Sequence, residues 1–171
     1  MSDDLDREIL RGGLAACATR IEGLRYSFEK TRQLFPLDVK SIGLLTEEQK
    51  ESIDAMILRY SQCVSLIQDQ IFRGIAIVEE EDLSDKSNRD KAALMEKFGV
   101  IKSASEFGEA VVLRNKFSHS YSEESEKQLA RLNLLPCESG FLFELFDHLK
   151  EYVEQKNLLP RDRVRGYGLK G

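Results

Sequence analysis

Arg114, Asn115, His119 and Tyr121 crowd into eight residues of the stretch Val111–Tyr121, which reads V-V-L-R-N-K-F-S-H-S-Y. Histidine is the side chain whose unperturbed pKa lets it give and take a proton near neutrality. Arginine carries a permanent charge in a planar fork that matches phosphate oxygens. Proton transfer on a phosphodiester, with support for the negative charge that develops there, needs those two types together and needs no metal. Asn115 can cap or orient its helix, hydrogen-bond a phosphate, or hold His119. The Tyr121 hydroxyl is a candidate for modification or the outward end of a half-buried aromatic.

The octet Arg114–Tyr121, with its pattern R-N-x-x-x-H-x-Y, resembles the signature of the HEPN superfamily. The trailing tyrosine is similar to that of the HepT-type toxins of HepT–MntA pairs. The resemblance implies an all-helical domain that acts as a homodimer and cleaves RNA without metal. In that role His119 handles the proton, Arg114 stabilises the transition state and Asn115 holds the geometry. It also implies a partner, a minimal nucleotidyltransferase that silences the toxin by transferring AMP to Tyr121. Two further readings stand beside it: a non-catalytic HEPN domain that binds a nucleotide or a nucleotidyltransferase partner, and a helical scaffold whose octet is coincidental.

Arg114 and His119 are five positions apart, about 140° of rotation on an ideal helix, so they do not share a face. Their convergence requires either a helix break near Ser118 or a second subunit that supplies the other residue. His148, the other histidine, lies on an amphipathic stretch without such neighbours and reads as structural. Asp69 and Arg73 read as an i,i+4 pair on a helix surface; a place for Asp69 in the cleft is the alternative, which no spacing marks.

These residues need elements to position them, and composition points to helices. The chain has 171 residues, of which 32% are charged and 42% hydrophobic, with only three prolines. That suits a globular chain able to bury a core. The expected architecture is all-α, a bundle of about five helices over 1–156, with a basic tail at 157–171. The net charge of −5 argues against nucleic-acid binding through bulk charge. The acidic excess sits in 41–98, with 12 acids against 7 bases, whereas 99–136 balances at five of each. A local neutral or basic groove therefore remains available to RNA. Cys17, Cys63 and Cys137 lie far apart without C-x-x-C spacing and read as free thiols of a reducing cytoplasm. No secretory leader opens the sequence, and no apolar run is long enough for a membrane span. There is no glycine-rich phosphate loop, H-E-x-x-H or nucleophile elbow, so neither a metal nor a cofactor is expected.

In chain order, 3–34 reads as one helix with Leu5, Ile9, Ala16, Leu24 and Phe28 inward, interrupted by glycines at 12, 13 and 23. Pro36 and Leu37–Leu45 form a connection. Thr46 with Gln49 is a capping box, opening a helix over 46–80. Its apolar stripe at 53, 57, 60, 64, 67, 71 and 78 has Gly74 in the missing slot. A rod about 50 Å long meets either a second subunit or the first helix folded back on it. Residues 81–87 read as a loop. Ser87 with Asp90 starts a helix that Gly99 closes, and Ser103 with Glu106 starts the one that enters the motif. Ser122–Asn133 reads as helical, Pro136 as its break, and 139–156 as the last helix, burying Phe141, Leu142, Leu145, Leu149 and Tyr152 or Val153.

Overall fold

The computed structural model describes residues 2–119 and 125–160. Tyr121 and most of the basic tail lie outside the described residues. Helices account for 82% of the structure, and no strand occurs among the described residues, so the fold is a small all-α bundle.

Helix α1 (Ser2–Thr31) begins with Asp3 and Asp4 and ends with Lys30, charges that complement the helix dipole. It runs unbroken through its glycines. The buried positions are Leu10, Gly13, Cys17, Ile21, Leu24, Ser27 and Thr31, whereas Leu5 is 64% and Ile9 41% exposed. The inner face is therefore rotated from the one expected, because Gly13 and Ser27 belong to it and an apolar-residue pattern passes over both. After a 3-10 turn at Arg32–Leu34, the connection contains the unexpected short helix α2 (Val39–Gly43). Asp38 caps it by accepting from the Ser41 N–H. Asn133 pins this connection to the last helix, accepting from the Leu37 N–H at 2.7 Å and donating to the Leu37 carbonyl at 2.8 Å.

Helix α3 (Glu47–Leu66) starts at the Thr46–Gln49 capping box, with both reciprocal bonds formed. A π-helical turn at Ile67–Ile71 then leads into α4 (Phe72–Val78). The extra residue of the π turn broadens the inward face, so Phe72, Ile75 and Ala76 are buried alongside the expected Ile67 and Ile71. Helix α1 lies along the whole rod, and within this one chain it covers the stripe. At Gly74 the two backbones come close: a Cβ there would sit 3.0 Å from the Leu10 Cα.

Helix α5 (Asn88–Phe98) is capped by Ser87 and closed by Gly99 in the left-handed region, with φ of 78°. Helix α6 (Ala104–Ser118) starts at Ser103, whose hydroxyl accepts from the Glu106 N–H. Phe107 packs on Phe72 at 4.9 Å between ring centroids and so docks the α5–α6 pair on the rod. Helix α7 (Ser125–Gln155) is continuous and contains Pro136, contrary to the expected break. Proline cannot donate to the Leu132 carbonyl and crowds that turn, a cost of about 3 kcal/mol. Buried Leu135, Ser139 and Leu142 on either side hold the helix in register against the core.

The glycines separate propensity from packing. Gly74→Val should lower stability by on the order of 1–3 kcal/mol, because Leu10 backbone cannot retreat. Gly12→Ala, with nothing within 4 Å of its added Cβ, should raise stability by about 0.5–1 kcal/mol. Thermal melts should move by about 2–4 °C per kcal/mol in opposite directions. A Gly74→Val protein melting at or above the parent would contradict the close approach.

Candidate functional site

Arg114 sits on the face of α6 that meets α3. The rotation of α6 is set by buried Phe107, Ala110 and Leu113, and by Tyr60 of α3. The Tyr60 hydroxyl donates to the Ala110 carbonyl at 3.1 Å, and its ring meets Phe117 edge-on at 6.4 Å. Burial pushes the Tyr60 phenol well above its ordinary range, with the Glu138 charge adding to it and Arg114 opposing it. The tyrosine therefore serves as a neutral donor that clamps α6.

The Arg114 guanidinium is held by neutral oxygens. Its Nη1 donates to Ser65 Oγ at 3.1 Å, while Nη2 and Nε donate to Asn115 Oδ1 at 3.1 and 3.3 Å. Three of its five N–H groups are thereby used, leaving one on each terminal nitrogen. Arg114 forms no ion pair among the described residues. Asn115 thus orients the arginine, a role outside the alternatives its position in the sequence offered.

Arg114 opens onto a groove of about 440 Å³, which it lines with Arg20 of α1, Ser61 and Ser65 of α3, and Asp69 and Gln70 of the π turn. Asp69 and Arg73 form no ion pair, contrary to the i,i+4 expectation. Asp69 belongs to the π turn, where α-helical spacing does not hold, and its Oδ1 instead accepts from Gln68 Nε2 at 3.3 Å. Ser65 and Arg20 escaped sequence reading as site residues, and Asp69 stood only as an alternative, because they come from other elements and share no motif. The faint signal for Ser65 and Asp69 was polar residues flanking an apolar stripe.

Helix α6 ends at Ser118, and His119 forms its C-cap with φ −121° and ψ 12°, its N–H donating to the Lys116 carbonyl at 3.3 Å. The ring is exposed and does not line the groove. The structure brings Arg114, Asn115 and Ser65 together, and leaves His119 at the helix end. His148 has a structural partner: its Nε2 lies 3.1 Å from the Gly99 carbonyl, which can only accept, so that nitrogen carries the hydrogen. Among the described residues, no group of three or more His, Cys, Asp and Glu side chains could hold a metal ion. No helix of the described residues is long and apolar enough to cross a membrane. Comparison with known protein families, curated proteins and solved structures gives no match.

On the other side of α6 lies a larger groove of about 790 Å³, where Val112 is 50% and Leu134 51% exposed. Glu138 lines it, and desolvation, reinforced by Glu109 and Glu106, raises its carboxyl above the ordinary 4.5. A carboxyl with a raised folded-state pKa binds more protons folded than unfolded, so its contribution to stability falls as pH rises from about 4.5 through the folded value. Glu138→Gln mimics the protonated form. It should raise the melting temperature at pH 7 and change it little near pH 3.5. An equal shift at both pH values would show that Glu138 carries no such penalty.

Proposed function

We propose that the chain is a metal-independent endoribonuclease of the HepT-like type within the HEPN superfamily. The observation that supports this best is the state of Arg114. Its guanidinium is oriented by neutral Ser65 and Asn115, keeps two N–H groups for a ligand, and faces an open polar groove. In the proposed reaction the 2′-hydroxyl oxygen of a ribose attacks the adjacent phosphorus, and the bond from phosphorus to the 5′-oxygen breaks. The products are a 2′,3′-cyclic phosphate and a 5′-hydroxyl, with the attacking proton leaving and another arriving at the 5′-oxygen. His119 handles proton transfer, Arg114 stabilises the charged phosphorane-like transition state, and Asn115 keeps Arg114 in place. Because His119 stands outside the groove of its own chain, the proposal includes a homodimer in which two chains complete the site. A second reading, a HEPN domain that binds a nucleotide or a nucleotidyltransferase partner without cutting, draws on the same separation of His119 from Arg114.

Arg114→Ala and His119→Ala should each reduce cleavage of RNA about 100-fold or more, with the parent protein active in EDTA. A mixture of the two variants should recover cleavage if the site is shared between chains. Full activity in both variants, or activity that requires magnesium, would refute the nuclease; a strictly monomeric active protein would remove the shared site.

Regulation is proposed to act at Tyr121, through AMP transfer by a cognate minimal nucleotidyltransferase. An added AMP brings a phosphate that Arg114 can attract and an adenosine that occupies the cleft. Co-expression with that partner should add ~329 Da per AMP to the peptide holding Tyr121, by the general logic of charge-adding modification. Tyr121→Phe should stay toxic and escape neutralisation. If it is neutralised as well as the parent, Tyr121 is not the control point.

A further inference from the structure

The arginines of α1 are used in two ways. Arg7 pairs with Asp3, Arg11 with Glu8 and Arg25 with Asp147. Arg20 forms no ion pair or hydrogen bond among the described residues, although the chain carries 30 acids against 25 bases. In a chain with spare carboxylates, that leaves its charge uncancelled in the same groove that receives Arg114. The same groove is lined by the Ser61 and Ser65 hydroxyls and the Gln62 amide, all neutral and partly accessible. Asp69 is the one carboxylate of the lining, so the described lining carries a net positive charge on a chain whose net charge is −5.

We propose that Arg20 and Arg114 form a two-point clamp for the backbone of single-stranded RNA, with Arg114 on the reacting phosphate and Arg20 on a neighbouring one. The strand crosses from α6 to α1 over the π turn. Cations that contact successive phosphates fix the register of a strand without reading its sequence. A groove of about 440 Å³ lies within the range of sites that hold one small ligand, so it takes a single extended strand. The Ser61 and Ser65 hydroxyls and the Gln62 amide supply donors for phosphate or sugar oxygens, and Asp69 at the π turn can accept from a ribose hydroxyl. This assignment rests on the proposed RNA substrate but does not require that the RNA be cut.

The test measures binding of a fluorescently labelled oligouridylate of roughly 12 nucleotides to the full chain carrying His119→Ala, over roughly 50–300 mM KCl. Adding Arg20→Ala should weaken binding about 5- to 10-fold and reduce the salt slope by about 0.7, the value for one phosphate contact on a single strand. Arg20→Lys should keep the slope, and Arg20→Glu should weaken binding further. Arg25→Ala, which removes a charge outside the groove, should leave the slope unchanged. Circular dichroism checks folding, and since Arg20 is exposed on α1, all four variants should remain helical. Binding that depends on Arg20 in a chain whose parent never cuts RNA would uphold the clamp and refute the nuclease. Loss of binding no greater than in Arg25→Ala, or no oligouridylate binding at low salt, would overturn the clamp whether or not the parent cuts RNA.

Discussion

The close backbone approach between α1 at Leu10 and α4 at Gly74 constrains much of what lies around it. Gly74 leaves room for the Leu10 backbone, and Gly13 does the same against Gln70, where an added Cβ would meet the Gln70 Cβ at 3.4 Å. With so little between them, α1 and the rod stay in register from the start of α1 to Thr31, whose hydroxyl donates to the Ser27 carbonyl at 2.8 Å beside Met56. The π turn lies against α1 at that seam. Its extra residue turns Gln68 inward while Asp69 and Gln70 remain exposed. Site and seam therefore share residues: the groove that receives Arg114 is bordered by the turn that α1 packs against.

The seam also accounts for two of the three cysteines. Cys17 and Cys63 are fully buried, and burial pushes both thiols up to about 12. At neutral pH they stay protonated and behave as small hydrophobes, filling space where a larger side chain would force α1 away from the rod. Small residues on α1 facing larger ones on α3 repeat along the interface, as at Gly23, over which Arg59 reaches to donate to the Gly23 carbonyl at 3.0 Å and to Ser27 Oγ at 2.6 Å.

Legibility in the sequence tracked the range of the interaction. The caps at Thr46, Ser87 and Ser103 and the left-handed Gly99 were readable because each is decided within three or four residues. The inner face of α1 was readable only in part, at Leu24 and Phe28, since Gly13 and Ser27 gain their meaning from what lies opposite them. Pro136 misled for the same reason: its local cost is certain, but the packing of Leu135, Ser139 and Leu142 decides the outcome. The apolar stripe of the rod was visible, whereas its cover was left open between a second subunit and α1. In the site, Arg114 and Asn115 stood out by type and proximity. Ser65, Arg20 and Asp69 come from elements up to 94 positions away, as the numbering of Arg20 and Arg114 shows, and only folding brings them to one groove.

How Arg114 is held bears on what such a residue can do. Arg7 is oriented by the Asp3 carboxylate, which fixes its fork and cancels its charge, whereas Arg59 is held by the neutral oxygens of Gly23 and Ser27 in the seam. Ser65 and Asn115 fix the fork of Arg114 while leaving its full charge directed at the groove. Exchanging the serine or the amide for an aspartate would preserve the hydrogen bond and lose the field. Leaving that charge unpaired costs the bundle little, since an accessible ion pair contributes only about 0–1 kcal/mol, and it keeps the guanidinium free to meet an anion. Arg20, which forms no ion pair among the described residues, lines the same groove. The bundle gains no ion pair among the described residues from either arginine, and both charges stay available in one groove.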